Sequence, residues 1–416
     1  MKYCIVILLF CITMLHAETI EKLVVTSSGS KPTIAFLPFK NNSGLSIPKE
    51  YLPETIIASD LNISSRFKTI SSNEIDTAYW YAENVVAFIS GIYSKDIDGK
   101  LVIECRLNDF GTYELMYGNV YKLPQKDIRF NMHHFSDNVV KAFYKKLGIA
   151  STKIAYVSKI KGKKEIVFSD YDGYNKQFVT SDGTINTMPD WSNDNRSLYY
   201  VSFKDYHGKV YNKNIFTGKV TKVIPKVNQS FVPRESPDGK SVLFTKAKQG
   251  NSDLYRVDLE TKKMTQLTTH WAIETSGAWS PDGSQVVFSS DRGGMPQLYT
   301  ANGDGTNFKR LTFEGKYNDS PRWSPNGKKI VYCGMSKGGR FNIFLIDVES
   351  KERYQLTDNE GNNEGPVWSP DGKLIAFSST RTGTSQIYII AADGTGLTQI
   401  TTKGHNSSPS WSNFKK

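Results

Sequence analysis

The chain has 416 residues, 38% hydrophobic and 22% charged, with a formal net charge of +11 at pH 7. Beyond its first residues no apolar stretch approaches the length of about 20 needed to span a bilayer, which argues against a transmembrane chain. Of the four cysteines, Cys4 and Cys11 lie near the start, while Cys105 and Cys333 sit in distant, differently built segments; no disulfide and no thiol chemistry is expected.

The opening MKYCIVILLFCITMLHA carries Lys2 as a positive head, an apolar run Ile5–Met14 and a small-residue site at Leu15-His16-Ala17. Residues 1–17 therefore read as a secretory signal peptide. The run is too short for a membrane anchor and is followed by polar residues, and Phe10 before Cys11 argues against a lipid-anchored start. The expected mature chain is 18–416. It begins with Glu18, Thr19, Ile20, Glu21, Lys22, Leu23, Val24, Val25 and Thr26. Such a polar-flanked strand can add to a partner's sheet edge or dock on its own domain.

Residues 18–150 predict an α+β domain with a mixed sheet. Ile34–Phe39 reads as a strand and Pro48–Ser64 as a helix. VVAFISGIY, LVIECRLND and YELMYGNVYKL read as three more strands. Asp127–Leu147 follows as an amphipathic helix with Ile128, Met132, Phe135, Val139 and Leu147 on one face, ended by Gly148. This part holds 15 Lys+Arg against 15 Asp+Glu, whereas 151–416 holds 36 against 26, a balance of +10. KIKGKK at Lys159–Lys164 reads as a solvated hairpin loop. Nucleic acid is not an expected partner of an exported chain whose aromatics lie at core spacing on strands.

From residue 151 a repeat takes over. The leads MPDWSNDN, VPRESPDG, GAWSPDG, PRWSPNG, PVWSPDG and PSWSN place anchors at Trp191, Glu235, Trp279, Trp323, Trp368 and Trp411, separated by 44, 44, 44, 45 and 43 residues. That period belongs to four-stranded propeller blades. After Trp279, the turn Pro281-Asp282-Gly283 is followed by QVVFS, the loop SDRGG, QLYTA, NGDG and a last strand near Phe308–Thr312. Pro at the second turn position presets φ, and Gly accepts the left-handed conformation of a tight corner. The pentapeptide is thus a turn device, with its Trp packed between blades. The segments Ile154–Ser158, Glu165–Ser169 and Gln177–Ser181 make three strands without a lead, and the lead at Trp411 has no blade behind it. If the C-terminal strand completes the first blade, the count closes at six and no sheet edge is left open. The fold class is an α+β domain followed by an all-β six-bladed propeller, residues 151–416, closed by its C-terminal strand.

Other motifs read structurally. GMSKG at Gly334–Gly338 matches a nucleophile elbow but occupies an inter-strand loop with no following helix. The DG pairs at 172–173, 304–305 and 393–394 lack the downstream Glu of a calcium loop. His133 and His134 have no metal-site spacing and read as surface or partly buried residues. No catalytic set, cofactor or metal site emerges. Since the first strand of each blade lies nearest the axis, the loop residues just before it should ring one channel opening: Val232, Thr275, Ser276, Asp319, Ser320, Glu364, Gly365 and Ser408.

The signal peptide, the mature start ETIEKLVVTSSGSKPTIAFLPF, the segment from LVIECRLND to KKLGI, the junction STKIAYVS, the six repeats and above all SDRGGMPQLY at Ser290–Tyr299 resemble the TolB family of the Tol–Pal envelope system. The departures are Glu235 in place of the anchor aromatic and Asn193–Asn195 in place of PDG. The resemblance implies a monomeric, non-enzymatic adaptor of the Gram-negative periplasm, linking inner-membrane energy to outer-membrane integrity and constriction at division. It implies that the propeller mouth binds the lipoprotein Pal, the match being nearest at Gln229, Val232, Thr275 and Ser276. It implies that Glu18–Thr26 engages the C-terminal domain of TolA, and it leaves room for further outer-membrane envelope partners. The competing classes are a periplasmic propeller enzyme and a small-ligand or metal-binding propeller.

Overall fold

A computed structural model describes residues 31–414 except 45, 225, 226, 249 and 359. The expected signal peptide and the segment Glu18–Thr26 lie outside the described residues. The chain divides into two compact units, one of residues 31–61 and 66–147, the other of Asn62–Ser65 and 148–414.

In the first unit, strands β1 (Thr33–Phe36), β2 (Lys40–Asn41), β3 (Lys68–Ser71), β4 (Val85–Lys95), β5 (Leu101–Asp109) and β6 (Leu115–Leu123) form one mixed sheet. Its order is β3-β1-β4-β5-β6, with β2 also beside β4. β1 runs parallel to β3 and β4, while β4, β5 and β6 form an antiparallel meander. Helices α1 (Pro53–Ile63) and α3 (Ile128–Tyr144) pack on one face, where Ile103, Cys105 and Leu107 alternate inward from β5 to meet Ile57, Leu61, Met132, Phe135 and Val139. The other face is covered by the short helix α2 (Thr77–Ala82), whose Trp80 packs with Ala35, Phe88 and Phe110.

Several boundaries differ from expectation, each for a local reason. β1 stops at Phe36, two residues before a proline that has no N–H to donate. α1 starts at Pro53, a residue suited to the first helical position, rather than at Pro48. α3 ends at Tyr144, because Lys145 takes the left-handed cap conformation (φ 57°) and returns its N–H to Lys141 O; Gly148 is not the cap. β3 and α2 were not legible, being only four and six residues long. His133, expected at or near the surface, is buried. Its Nδ1 lies 2.9 Å from Asp60 Oδ2, and Ser136 Oγ donates to the same oxygen at 2.7 Å, so a polar cluster joins α1 to α3.

The second unit consists of six four-stranded antiparallel sheets. The innermost strands are Asn186–Trp191, Ser230–Glu235, Glu274–Trp279, Asn318–Trp323, Asn363–Trp368 and His405–Trp411, each touching the next around a ring. We number the blades from the one that begins at Lys153. In blade 1 the C-terminal strand supplies the inner position and pairs antiparallel with Lys153–Ile160, Trp411 opposite Ile154 and Asn406 opposite Ser158. The ring is therefore closed by its own two ends.

The repeated corner is a self-contained hydrogen-bonded turn. Ser280 Oγ donates to Asp282 Oδ1 (2.6 Å) and accepts the Gln285 N–H (2.9 Å), while Gly283, at φ 72°, returns its N–H to Ser280 O (2.9 Å). Ser236, Ser324 and Ser369 do the same. Each anchor Trp packs on the preceding blade: Trp191 meets Phe168 edge-on, and Trp368 joins Val331, Ile343 and Leu345. In the first lead Asn195 takes the left-handed place of Gly (φ 58°), which Asn tolerates. It also accepts the Asn413 N–H at 2.9 Å and donates to Phe414 O at 3.0 Å, tying those two residues to the first lead.

The inner strands and the two channel openings

All six inner strands break their ladder at the same place. The third residue before each anchor lies in the left-handed region: Met188 (φ 53°), Val232 (50°), Ser276 (57°), Ser320 (54°), Gly365 (61°) and Ser408 (53°). Pairing with the next strand shifts register across each of these sites, so each is a β-bulge. Non-glycine residues at positive φ are uncommon, and a β-branched one is an outlier, so a ring of them is a built feature. Pro follows the left-handed residue in every blade but blade 4, where Gly277 follows Ser276. Having no N–H, proline fits a site without a ladder bond.

This relocates the expected mouth residues. Val232, Thr275, Ser276, Asp319, Ser320, Glu364, Gly365 and Ser408 lie inside the inner strands, not in loops before them; only Gln229 precedes its strand. Val232 is buried, the Glu364 side chain is exposed, and the others are half-buried. Thr275 Oγ1 lies 3.3 Å from Thr245 Oγ1. The partial desolvation of Glu364 raises its carboxyl above the usual range.

Directly behind the bulges sits a buried polar girdle that sequence patterning missed. Asn318 Nδ2 donates to Gln297 Oε1 (2.9 Å), Thr312 Oγ1 donates to the same oxygen (2.7 Å), and Thr312 Oγ1 accepts the Leu298 N–H (2.9 Å). The sets Asn406–Gln386–Thr401, Asn186–Glu165–Thr180 and Asn363–Asn342–Thr357 repeat this wiring. Each set ties the loop between blades to the start of the next inner strand. An Asn at a fixed distance before the anchor, with a Thr a few residues ahead of it, was the available signal. In blade 4 Glu274 takes the Asn place and pairs with Arg292.

The opposite opening is framed by the anchors. The residue just before each anchor is Asp190, Arg234, Ala278, Arg322, Val367 or Ser410. Arg322 of blade 5 reaches across the ring to blade 2, its Nη2 lying 3.1 Å from Asp190 Oδ1, and Ser410 Oγ lies 3.3 Å from the same oxygen. Glu235, in the slot of an anchor aromatic, meets the preceding blade as the anchors do but through hydrogen bonds, accepting the Tyr199 hydroxyl at 2.8 Å and the Asn193 N–H at 2.6 Å. Burial raises its carboxyl above the ordinary value.

The remaining motifs sit in turns. Ser336 of GMSKG closes a hairpin, its N–H donating to Arg340 O at 2.9 Å. Gly173 returns its N–H to Asp170 O at 2.9 Å, and the Asp170 carboxylate pairs with Lys153. Asp304 Oδ1 accepts from the Thr306 N–H and hydroxyl. Cys105 and Cys333 are buried free thiols. Among the described residues no helix is long and apolar enough to cross a membrane.

A closed six-bladed ring with an additional α/β unit defines a two-unit β-propeller protein. The family described as the TolB beta propeller domain matches residues 141–343 and 321–416, and the chain belongs to the TolB family. It is 28% identical over 235 residues to the Tol-Pal system protein TolB of Hamiltonella defensa subsp. Acyrthosiphon pisum, covering 53% of this chain and 54% of that one. It is 30% identical over 172 residues to the protein of the same name from Polaromonas sp., covering 39% of this chain and 40% of that one. The chain thus spans about half the length, or less, of these curated relatives. The crystal structure of TolB from Acinetobacter baumannii superposes with a TM-score of 0.80 at 27% identity, over 92% of this chain and 97% of that one.

Proposed function

We propose that this chain is a non-enzymatic adaptor of a Tol–Pal system in the periplasm. It receives the lipoprotein Pal at the bulged mouth of the propeller and TolA through Glu18–Thr26, in support of outer-membrane integrity and constriction during division. Family membership supports the system. The observation that carries the binding site is the ring of left-handed residues, because strained backbone conformations cluster at ligand-binding sites and a rigid, preorganised surface lowers the cost of binding. Small or polar side chains at Thr275, Ser276, Ser320 and Ser408 leave room for a partner loop, and Asp319 and Glu364 offer acceptors to it.

The test is titration calorimetry of the mature chain with the soluble domain of Pal. Thr275→Ile and Glu364→Lys should each weaken binding about tenfold or more, as central interface positions do, with unchanged thermal unfolding. Substitutions on the outermost strands should be neutral. If the mouth variants bind as the parent does and the outer ones do not, Pal sits elsewhere. Removal of Glu18–Thr26 should abolish TolA binding and leave Pal binding and unfolding unchanged; retained TolA binding would refute that half.

A further inference from the structure

The anchor-side opening holds a cavity of about 540 Å³. Arg234, Arg322 and Asp190 line it together with Trp279, Trp323 and Trp411. Glu235 lines it as well, so two guanidinium groups face two carboxylates, but the pairing is uneven. Asp190 Oδ1 lies 3.1 Å from Arg322 Nη2 and 3.5 Å from Arg234 Nη1, so two guanidinium groups share one carboxylate oxygen. That oxygen is further occupied by Ser410 Oγ. The second carboxylate of the wall, Glu235, has its oxygens engaged by Tyr199 and Asn193 of blade 2. Arg234 Nη1 donates to Pro233 O at 2.6 Å, and its buried Nε has no partner among the described residues.

We propose that this cavity is an oxyanion site, taking a carboxylate or phosphate group between Arg234 and Arg322 while the indole and proline walls receive an apolar body. Two guanidinium groups that share one carboxylate oxygen keep donors to spare, and an oxyanion with several lone pairs can accept from both. Burial and the nearby Arg322 charge pull Arg234 down to about 9, the direction expected of a cation short of negative charge. The flat, weakly hydrated guanidinium beside aromatic rings suits a planar carboxylate on an apolar stem. The site lies at the opposite end of the inner strands from the proposed Pal mouth and does not depend on that assignment.

The mature chain is titrated with acetate, benzoate and inorganic phosphate in turn, in a chloride-free buffer, following tryptophan fluorescence and ligand-observed saturation-transfer NMR. A saturable response is expected. Arg234→Gln and Arg322→Gln should each weaken it about tenfold, the worth of one charge-assisted hydrogen bond. Arg234→Lys, which keeps the charge but not the planar fork, should bind more weakly than the parent and more tightly than Arg234→Gln, and guards against loss through misfolding. Asp190→Asn should strengthen binding by removing the competing carboxylate. Benzoate tighter than acetate shows use of the apolar wall; phosphate tighter than both identifies a phosphorylated ligand. Absence of saturation with all three anions, or an unchanged response in both glutamine variants, overturns the proposal.

Discussion

Trp411 Nε1 donates to Thr152 Oγ1 at 2.8 Å, joining residues 259 apart at the two ends of the propeller. The contact does not stand alone. Ser412 N–H donates to Lys153 O, Lys153 N–H donates to Ser412 Oγ, both at 2.9 Å, and Trp191 N–H donates to Ser410 Oγ at 3.2 Å. The indole also packs among Ile154, Val367, Leu374 and Ile387, bringing blades 1 and 6 together.

Closure by this strand makes the ring's stability a property of its seam. Removing residues from Pro409 onward exposes the edge of Lys153–Ile160 and the apolar faces of two blades, so unfolding should shift as a whole instead of one tail fraying. Trp411→Ala should cost about 3–5 kcal/mol, as for a large aromatic lost from a core. Urea unfolding monitored by circular dichroism decides: a truncated chain with the parental midpoint would show that the seam is not what holds the ring.

Glu235 gives a pH dependence whose sign can be worked out. Burial holds its folded value above the ordinary 4.5. A carboxyl raised on folding favours the folded state when protonated. Its contribution is fully present below about pH 4.5 and is lost as pH rises through the elevated value. Glu235→Gln should therefore flatten the fall in stability of the parent between pH 4.5 and neutrality. Glu235→Ala leaves the Tyr199 hydroxyl and the Asn193 N–H without their acceptor and should cost about 1–3 kcal/mol at any pH. Parallel stability curves for parent and Gln variant across that range would remove Glu235 as the titrating group.

How far the sequence reached depended on whether the information was local. The period, the SPDG corner and the closing strand were legible, because each lies within a few residues and uses residue types with a distinct conformational role. The bulges were not: a Ser-Pro or Val-Pro pair interrupts strand patterning and reads as a loop, so the mouth residues were placed before the inner strands instead of within them. Asn318 and its counterparts looked like loop polarity, since a buried amide is recognisable only with its acceptors, here Gln297 and Glu314 O. The Asp190–Arg322 bridge joins residues 132 apart, and the partner that buries His133 lies 73 residues away. No local pattern carries either pair. The replacement of Trp by Glu235 was visible as a departure from the repeat, but not its effect: it exchanges an apolar contact for two hydrogen bonds, to Tyr199 and Asn193.

The thiols offer a clean readout of core integrity. Cys333 Sγ lies 3.4 Å from Asn363 O, the blade-to-blade contact that Ser289 Oγ makes with Asn318 O at 2.9 Å. Burial pushes both Cys105 and Cys333 well above the ordinary thiol range. Neither should react with a thiol reagent such as DTNB at neutral pH until the chain is unfolded. Cys333→Ser should be tolerated within about 1 kcal/mol, since the hydroxyl can make the same contact. Rapid labelling of native protein, at a rate independent of urea, would contradict the buried placement.

The left-handed ring can be probed through its one glycine. Gly365 sits at φ 61°, and an added Cβ would meet nothing nearer than Ser408 Cα at 3.8 Å and Pro409 Cδ at 3.9 Å. Gly365→Ser thus changes the backbone preference without crowding, and should cost about 1 kcal/mol, the penalty of a left-handed non-glycine residue. In the other direction Ser276→Gly, Ser320→Gly and Ser408→Gly should relieve strain. Part of that gain is cancelled by the extra freedom of glycine in the unfolded chain, so each should stabilise by at most about 1 kcal/mol. Val232→Gly should not follow this pattern. Val232 is 9% exposed, and losing its buried side chain should outweigh the relief by about 1 kcal/mol or more. For the same reason Val232→Lys is expected to destabilise the fold and is a poor probe of partner binding, unlike Thr275→Ile. Chemical-denaturation midpoints of the five variants test the ring as a set. Destabilisation by the three Ser→Gly changes, or stabilisation by Gly365→Ser, would mean that the inner strands do not hold these residues in the left-handed conformation.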